Sequence, residues 1–526
     1  MATQGQQTTE QAPSWVRIGE ETRARSQIED AARRVARGLR ALGVGRGDVV
    51  AVYMRNSFAM IEATVGAGLV GAYVTPVNWH NTAEEARHVF TDSGARVIFI
   101  HADLYRKVKE AVPEGVTVIV AETPRDLRAA YGVSDADAAA PEGLTEWSQW
   151  LAGLRPLEPP YETSPGSMIY TSGTTGKPKG VRRKPPTPEE QESIAGVLSI
   201  VGGFATWPKP LNEAVMLIPG PAYHSSPNGW LYACLNMGVN LIVEPKFDPG
   251  RMLRLIHEHR ITHVLAVPTM FVRMLALPEE VKRRYDLSSV FHVMHVGAPC
   301  PPHVKRAMID WWGPVITEHY GSTEVGAVTM CTAQEWLDHP GTVGKVVPGT
   351  TVVIMDEAGN VLPPGRSGEI VCGRPDYPDF TYHGDDAKRR KSDRNGLIAT
   401  GDVGYFDEDG FLYLSGRASD MIIFGGTNIY PAEIEAELMR VPGVADCAVF
   451  GIPDPEFGEQ VCAFIQPAEG ADLDAEGVKA ALRDRLASYK IPRRIEFRDA
   501  LPREDTGKIF KRKLREPFWA DAGRAI

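Results

Sequence analysis

Between Tyr170 and Gly180 the chain reads YTSGTTGKPKG, with three glycines, four serines or threonines and two lysines. Hydroxyls, open backbone N–H groups and ammonium charge on a glycine-loosened loop suit a polyphosphate. The P-loop of NTPases is built differently, with four residues between its glycines and Ser or Thr after the lysine. Here two residues separate Gly173 from Gly176, and Pro178 follows Lys177, which disfavours direct entry into a helix. Thr171, Ser172, Gly173, Thr174, Thr175, Gly176 and Lys177 are therefore expected to hold nucleotide phosphate in a loop of another geometry.

Further chemistry-bearing segments follow in order. Pro221-Ala222-Tyr223-His224 places an imidazole beside an aromatic ring. Gly297-Ala298-Pro299 and His319-Tyr320-Gly321-Ser322-Thr323-Glu324 combine glycines that let backbone approach a flat base, a ring for stacking, and oxygens for phosphate and a hard cation. Thr400-Gly401-Asp402 precedes Ser415-Gly416-Arg417, a carboxylate able to accept from both ribose hydroxyls and a guanidinium able to donate nearby. Gly425-Gly426 and Leu501-Pro502-Arg503-Glu504-Asp505-Thr506-Gly507-Lys508 complete the series, the last ending on a flexible point charge.

These segments, over roughly residues 20 to 515, resemble the adenylate-forming superfamily: acyl-CoA synthetases, firefly luciferases and peptide-synthetase adenylation domains. The resemblance implies an AMP-forming acyl-CoA synthetase that uses ATP, Mg²⁺ and coenzyme A. It implies that Lys508 stabilises charge in adenylation, that Glu324 holds the metal, and that His224 gates the bound carboxylate. Gly297, Ala298, Pro299, His319, Tyr320, Gly321 and Thr323 would line the nucleotide. Asp402 would hold the ribose with support from Arg417, and Gly425 and Gly426 would line the pantetheine passage. Ser419 stands at the hinge, where relatives usually carry Asp or Lys. His319 stands where many relatives have glycine, so a narrower or more polar acyl pocket is expected. Tyr223, His224, Trp230, Met294 and Val296 are the expected pocket lining. The segment Tyr223–Trp230 has no carboxylate to pair an α-ammonium, so an amino-acid substrate is not expected. Aromatic and fatty acids remain equal alternatives, and loading of an acyl-carrier protein is the alternative to free CoA.

The elements that must position these residues show in the apolar periodicity. Ser26–Leu42 has helical spacing and leads into the strand-like run Val49–Tyr53, and Ala59–Leu69 is a second helix. Val97–Ile100 and Val116–Val120 read as strands, and Leu253–Glu258 as a helix before the strand His263–Val267. Such alternation predicts an α/β fold, with a large multi-subdomain N-terminal region of mostly parallel sheets over residues 1–416. A hinge at 417–420 and a small mobile α+β domain at 421–526 should follow, built on a Pro431-initiated helix, the strands Ala448–Phe450 and Val461–Ile465, and a helix near Val478–Ala487. Asp135–Pro160, rich in Ala, Pro and acidic residues, reads as a surface connection.

At 526 residues the chain is too long for one core, and 43% hydrophobic residues are ample for globular packing. A net charge of −10 argues against a general nucleic-acid binder. Six scattered cysteines without a CxxC pair indicate neither a zinc site nor a disulfide framework, and a reducing cytoplasm is expected. The polar stretch Met1–Gln11 lacks the apolar core of an export signal. Ala63–Val77 is short for a membrane span and Ser225–Val243 is interrupted by Pro and Gly, so both should be buried elements of a soluble protein, with a homodimer allowed for.

Overall fold

The computed structural model describes residues 14–171, 178–417, 420–425, 427–483, 485–503 and 509–520. Among them, two sheets, one parallel throughout and one parallel in part, form the frame of the N-terminal region. In the first, strands at Tyr73–Pro76, Val49–Tyr53, Val97–His101, Thr117–Ala121 and Thr145–Glu146 lie side by side in that order, all parallel. Val49–Tyr53 and Val97–His101 are buried at every position, as strands covered by helices on both faces must be.

Helix Arg25–Ala41 buries Ile28, Ala32, Val35, Ala36 and Leu39 along one stripe and packs on helix Phe58–Leu69. The second helix starts where Ser57 Oγ accepts from the Met60 N–H at 3.2 Å, satisfying one of its otherwise unmet donors. The uncharged stretches Ala63–Val77 and Ser225–Val243 run through helix, turn and strand in this interior, and no described helix is long and apolar enough to cross a membrane.

The larger sheet has fourteen strands among the described residues. Its parallel half runs Trp15–Ile18, Asn240–Val243, Val215–Ile218, His263–Ala266, His292–His295, Ile316–Ser322. Beyond Ile316–Ser322 the sheet turns antiparallel through Gly326–Cys331, Thr342–Val346, Leu412–Arg417, Leu397–Phe406, Gly368–Gly373 and Thr351–Met355. The α/β class and the parallel sheets match the sequence expectation. The antiparallel continuation was not anticipated, because its strands lack the intervening helices that mark parallel crossovers.

One expectation is corrected. Asp135–Pro160 is not merely a surface connection: Thr145–Glu146 adds the last strand of the first sheet, and helix Trp147–Ala152 follows it. Trp147 is buried, with its ring edge-on to Phe99 at 5.3 Å. Two tryptophans and Leu151 at helical spacing outweigh the polar composition around them.

The C-terminal residues form a separate five-stranded sheet among the described residues, centred on the long hairpin Val444–Asp454 and Gly458–Pro467. Helices Pro431–Leu438 and Ala475–Arg483 supply Ile434, Leu438, Val478 and Leu482 to its own core. That is the small α+β unit expected.

Candidate active site

Three of the segments singled out above emerge at the carboxyl ends of parallel strands of the large sheet. Pro221–His224 follows Val215–Ile218, Gly297-Ala298-Pro299 follows His292–His295, and Tyr320–Glu324 lies at the end of Ile316–Ser322. The crevice beyond the carboxyl edge is where open α/β sheets take ligands, because loops there vary without disturbing the core. Gly321 is required by close approach: a Cβ would lie 2.1 Å from the Gly326 carbonyl oxygen. Gly297 takes φ +92°, with Ala298 half-buried and Pro299 exposed beside it.

The segment expected to hold phosphate is flanked by strand Ile169–Thr171 and the antiparallel strand Lys179–Arg183. Residues 172–177, and with them Ser172, Gly173, Thr174, Thr175, Gly176 and Lys177, lie outside the described residues; Thr171 pairs with Lys179 at the neck of the hairpin. Lys179 is committed to structure. Its Nζ donates to Asp92 Oδ1 at 3.0 Å, and the Tyr170 hydroxyl donates to Asp92 Oδ2 at 2.8 Å. Burial alone would raise the Asp92 carboxyl, but these donors outweigh it and hold it below the usual carboxylate range.

Arg183, on the outgoing strand, ties this hairpin to the Thr323-Glu324 segment. Its Nη2 donates to the carbonyls of Thr323 and Glu324, each at 2.6 Å, and its Nη1 to the Pro378 carbonyl at 2.7 Å. Sequence reasoning missed Arg183, which stood in a basic run, Arg182-Arg183-Lys184, resembling a solvated face. The Glu324 carboxylate accepts the Tyr382 hydroxyl at 3.0 Å, and burial followed by the Glu324 charge raises that phenol above its ordinary range. Tyr382, on Phe380–Tyr382 beside Lys179–Arg183, carried no signal in the sequence. A half-buried carboxylate with one oxygen steered by a single phenol keeps acceptor capacity, so Glu324 fits a hard divalent cation.

The pair expected to hold the ribose is assembled across two strands. Asp402 and Arg417 are directly paired in register, with Arg417 Nε 3.0 Å from Asp402 Oδ1. The Tyr320 hydroxyl donates to Asp402 Oδ2 at 2.6 Å and lies 3.2 Å from Thr400 Oγ1. Burial first and the Asp402 charge second push the Tyr320 phenol well above its ordinary range, so it stays a donor. Tyr320, Asp402 and Arg417, well separated in the chain, thus meet in one hydrogen-bonded group.

On the other side of the strand His319 is buried, beside Met330 on the neighbouring antiparallel strand. Met294 is fully buried and Trp230, on helix Ser225–Met237, packs against Phe204 at 6.5 Å between ring centres. Both belong to one apolar cluster, against which Val296 packs. Tyr223 lies in a different cluster, edge-on to Trp79 at 4.6 Å, and its neighbour His224 precedes the first turn of helix Ser225–Met237.

In the small domain Gly425 takes φ +54° and its N–H donates to the Phe457 carbonyl at 2.8 Å. Gly426, Ser419 at the expected hinge, and Lys508 lie outside the described residues. The segment that carries Lys508 is closed at its base by a bridge between Arg503 and Ile509 and by the Phe510 N–H donating to Pro502 at 2.9 Å. All six cysteines are free thiols.

This arrangement agrees with family comparison over nearly the whole chain. Residues 4–377 match the AMP-binding enzyme family, and residues 433–508 match the AMP-binding enzyme C-terminal domain. The chain belongs to the AMP-binding enzyme family. It is 34% identical over 496 residues to a feruloyl-CoA synthase of an Amycolatopsis species, covering 92% of each. It is 31% identical over 508 residues to ScoC, a fatty acid–[acyl-carrier-protein] ligase of Streptomyces coeruleorubidus, covering 95% of this chain and 92% of that protein. Among solved structures, the o-succinylbenzoate CoA synthetase of Bacillus subtilis in complex with its acyl-adenylate superposes with a TM-score of 0.79 at 25% identity, covering 95% of each chain. Membership of the adenylate-forming superfamily, inferred above from motifs, is thereby borne out, as is the enzyme class, an acid–thiol ligase.

Proposed function

We propose that this AMP-binding enzyme is an acyl-CoA synthetase that activates an aryl or fatty acid with Mg²⁺-ATP and transfers the acyl group to coenzyme A. The observation that carries the proposal is the meeting of Tyr320, Asp402 and Arg417 beside a segment, Thr323-Glu324, that Arg183 ties to the phosphate hairpin. In the first half-reaction a carboxylate oxygen of the acid bonds to the α-phosphorus, the bond to the bridging oxygen breaks, and pyrophosphate leaves. In the second the CoA thiol gives up its proton, sulfur attacks the acyl carbonyl, and AMP departs. No protein nucleophile is needed. The protein must bring two anions together, which asks for positioning and positive potential.

Asp402 and Arg417 would fix the ribose, and Tyr320 would hold Asp402 in place from the opposite oxygen. Glu324 would hold Mg²⁺, whose contribution when bound is to offset phosphate charge. Lys508 would supply the mobile charge for adenylation, and Gly425-Gly426 would line the pantetheine path. The division at 417–420 would let residues 421–526 turn between the two half-reactions, with Ser419 as pivot. The six free thiols support a reducing, cytoplasmic setting.

Likeness to a feruloyl-CoA synthase favours an aromatic acid and CoA, whereas likeness to ScoC favours a fatty acid and a carrier protein. Pyrophosphate release across a panel of carboxylic acids, each with CoA or with a phosphopantetheinylated carrier protein, tests both. Acid-dependent pyrophosphate release followed by acyl-CoA formation supports the proposal; acyl transfer to the carrier alone would replace CoA as acceptor. Absence of acid-dependent release would overturn it.

A further inference from the structure

Strand alternation sorts the residues of the central parallel strands between two faces. His292, Met294 and Val296 share one face, with Leu265 beside Met294 on one neighbouring strand and Thr317 and His319 on the other. Tyr320 points the opposite way, into the Asp402 group. His319 therefore stands where the nucleotide side of the strand gives way to the side lined by Met294 and Trp230.

The imidazole of His292 is fully engaged at one edge: its Nε2 lies 3.0 Å from the Val201 carbonyl and 3.1 Å from Thr317 Oγ1. Gly203, with φ +76°, makes room for it, since a Cβ there would fall 2.5 Å from the His292 ring. A Cβ on Gly202 would meet the Trp230 indole at 2.7 Å. His292, Gly203, Gly202 and Trp230 thus pack together as one group.

His319 is different. It is 9% exposed, and neither Nδ1 nor Nε2 has a partner among the described residues. Burial first, and His292 second, lower its pKa to about 4, so at neutral pH the ring offers one N–H donor and one lone pair. The buried charges of this region lie on the other face, where Lys305 Nζ donates to Glu318 Oε2 at 2.6 Å. A second carboxylate or an ammonium on the acid would find no countercharge among the described residues at His319. An apolar group would leave both ring nitrogens desolvated and unmet. A hydroxyl, able to donate and accept, meets the requirement.

We propose that His319 is a specificity-determining residue that receives a hydroxyl of the acid, so that the substrate is a hydroxylated, otherwise apolar monocarboxylic acid. This rests on the acid-activating function proposed above. The shared chemistry is the neutral hydroxyl, carried either by an aromatic ring or by an aliphatic chain.

The experiment compares kcat/KM for pyrophosphate release in matched pairs: para-hydroxycinnamate with cinnamate, and a medium-chain ω-hydroxy fatty acid with its unsubstituted counterpart. The parental enzyme should favour the hydroxylated member of one pair by about tenfold or more, and the pair that responds identifies the carrier of the hydroxyl. His319→Phe, which keeps the ring volume without its nitrogens, should reduce that preference to within about twofold, and His319→Gln should retain part of it. Equal kcat/KM within both pairs for the parental enzyme, or a preference that survives in folded His319→Phe, would overturn the proposal. If the phenylalanine variant does not fold, the parental pairs decide alone. Failure of every acid to release pyrophosphate would instead overturn the acid-activating function.

Discussion

The guanidinium of Arg183 holds the backbone carbonyl of Glu324 at 2.6 Å, joining residues 141 positions apart. The same Nη2 holds the Thr323 carbonyl, so one side chain sets the distance between the phosphate hairpin and the segment expected to carry the metal. A charged donor bridging three carbonyls in a half-buried site cannot be replaced by a single ammonium, whose geometry is not a planar fork.

Arg183→Lys should therefore lower kcat/KM for ATP by about tenfold or more, with the order of acid preference unchanged. Pyrophosphate release measured against ATP concentration checks this. An unchanged ATP dependence would show that the bridge is structural only.

Tyr320→Phe removes one donor from Asp402 while Arg417 keeps the other oxygen. A loss of about 1 kcal/mol, or roughly fivefold in ATP affinity, is expected. Asp402→Asn should cost more, because the amide weakens the pair with Arg417 and cannot take both ribose hydroxyls as acceptor. Calorimetric titration of each variant with ATP orders the two effects, and a larger loss for Tyr320→Phe would contradict the assignment of Asp402.

Glu324→Gln should shift the Mg²⁺ requirement upwards while leaving acid preference alone, since the amide keeps the shape but not the charge that a hard cation prefers. Mg²⁺ titration at fixed ATP reads it. Unchanged metal dependence would remove Glu324 from that role.

Lys508→Ala should abolish adenylation, by about two to three decades in rate, while sparing thioester formation from supplied acyl-adenylate. The two half-reactions are measured separately. Equal damage to both would mean that Lys508 serves something other than the first step.

Buried histidines should make the fold acid-sensitive. Burial lowers His292 and His319 from 6.5 to about 4, so between those values the unfolded chain binds more protons than the folded one. Stability then rises with pH across this window and is lost as pH falls from 6.5 towards 4. Urea unfolding midpoints should follow that slope, and a flat profile would refute it. Independently, Lys305→Met leaves the buried Glu318 carboxylate without its partner and should cost about 3–5 kcal/mol, largely restored by adding Glu318→Leu.

Residue types and local spacing were enough to single out the Tyr170–Gly180 run, the Tyr320–Glu324 segment, Asp402 and Arg417 as candidates, and to anticipate the small C-terminal unit. Each signal shows within a short stretch, where glycine, charge and apolar period carry the information. The helix Arg25–Ala41 and the strand Val49–Tyr53 were legible for the same reason. The strand Thr145–Glu146 and the helix after it were not, because polar neighbours masked the buried Trp147.

What the sequence alone determined, then, is the inventory of groups for nucleotide chemistry and the family they place the chain in. Tertiary structure decided how those groups are used. It assigned Lys179 to Asp92 rather than leaving it free for phosphate, brought Arg183 to the Glu324 carbonyl, and paired Asp402 with Arg417 across two strands. It also turned Tyr320 and His319, adjacent in the chain, towards opposite faces of one strand. The physical reason is that a strand's alternation and a sheet's register set which distant residues share a face, and neither is encoded in any one segment.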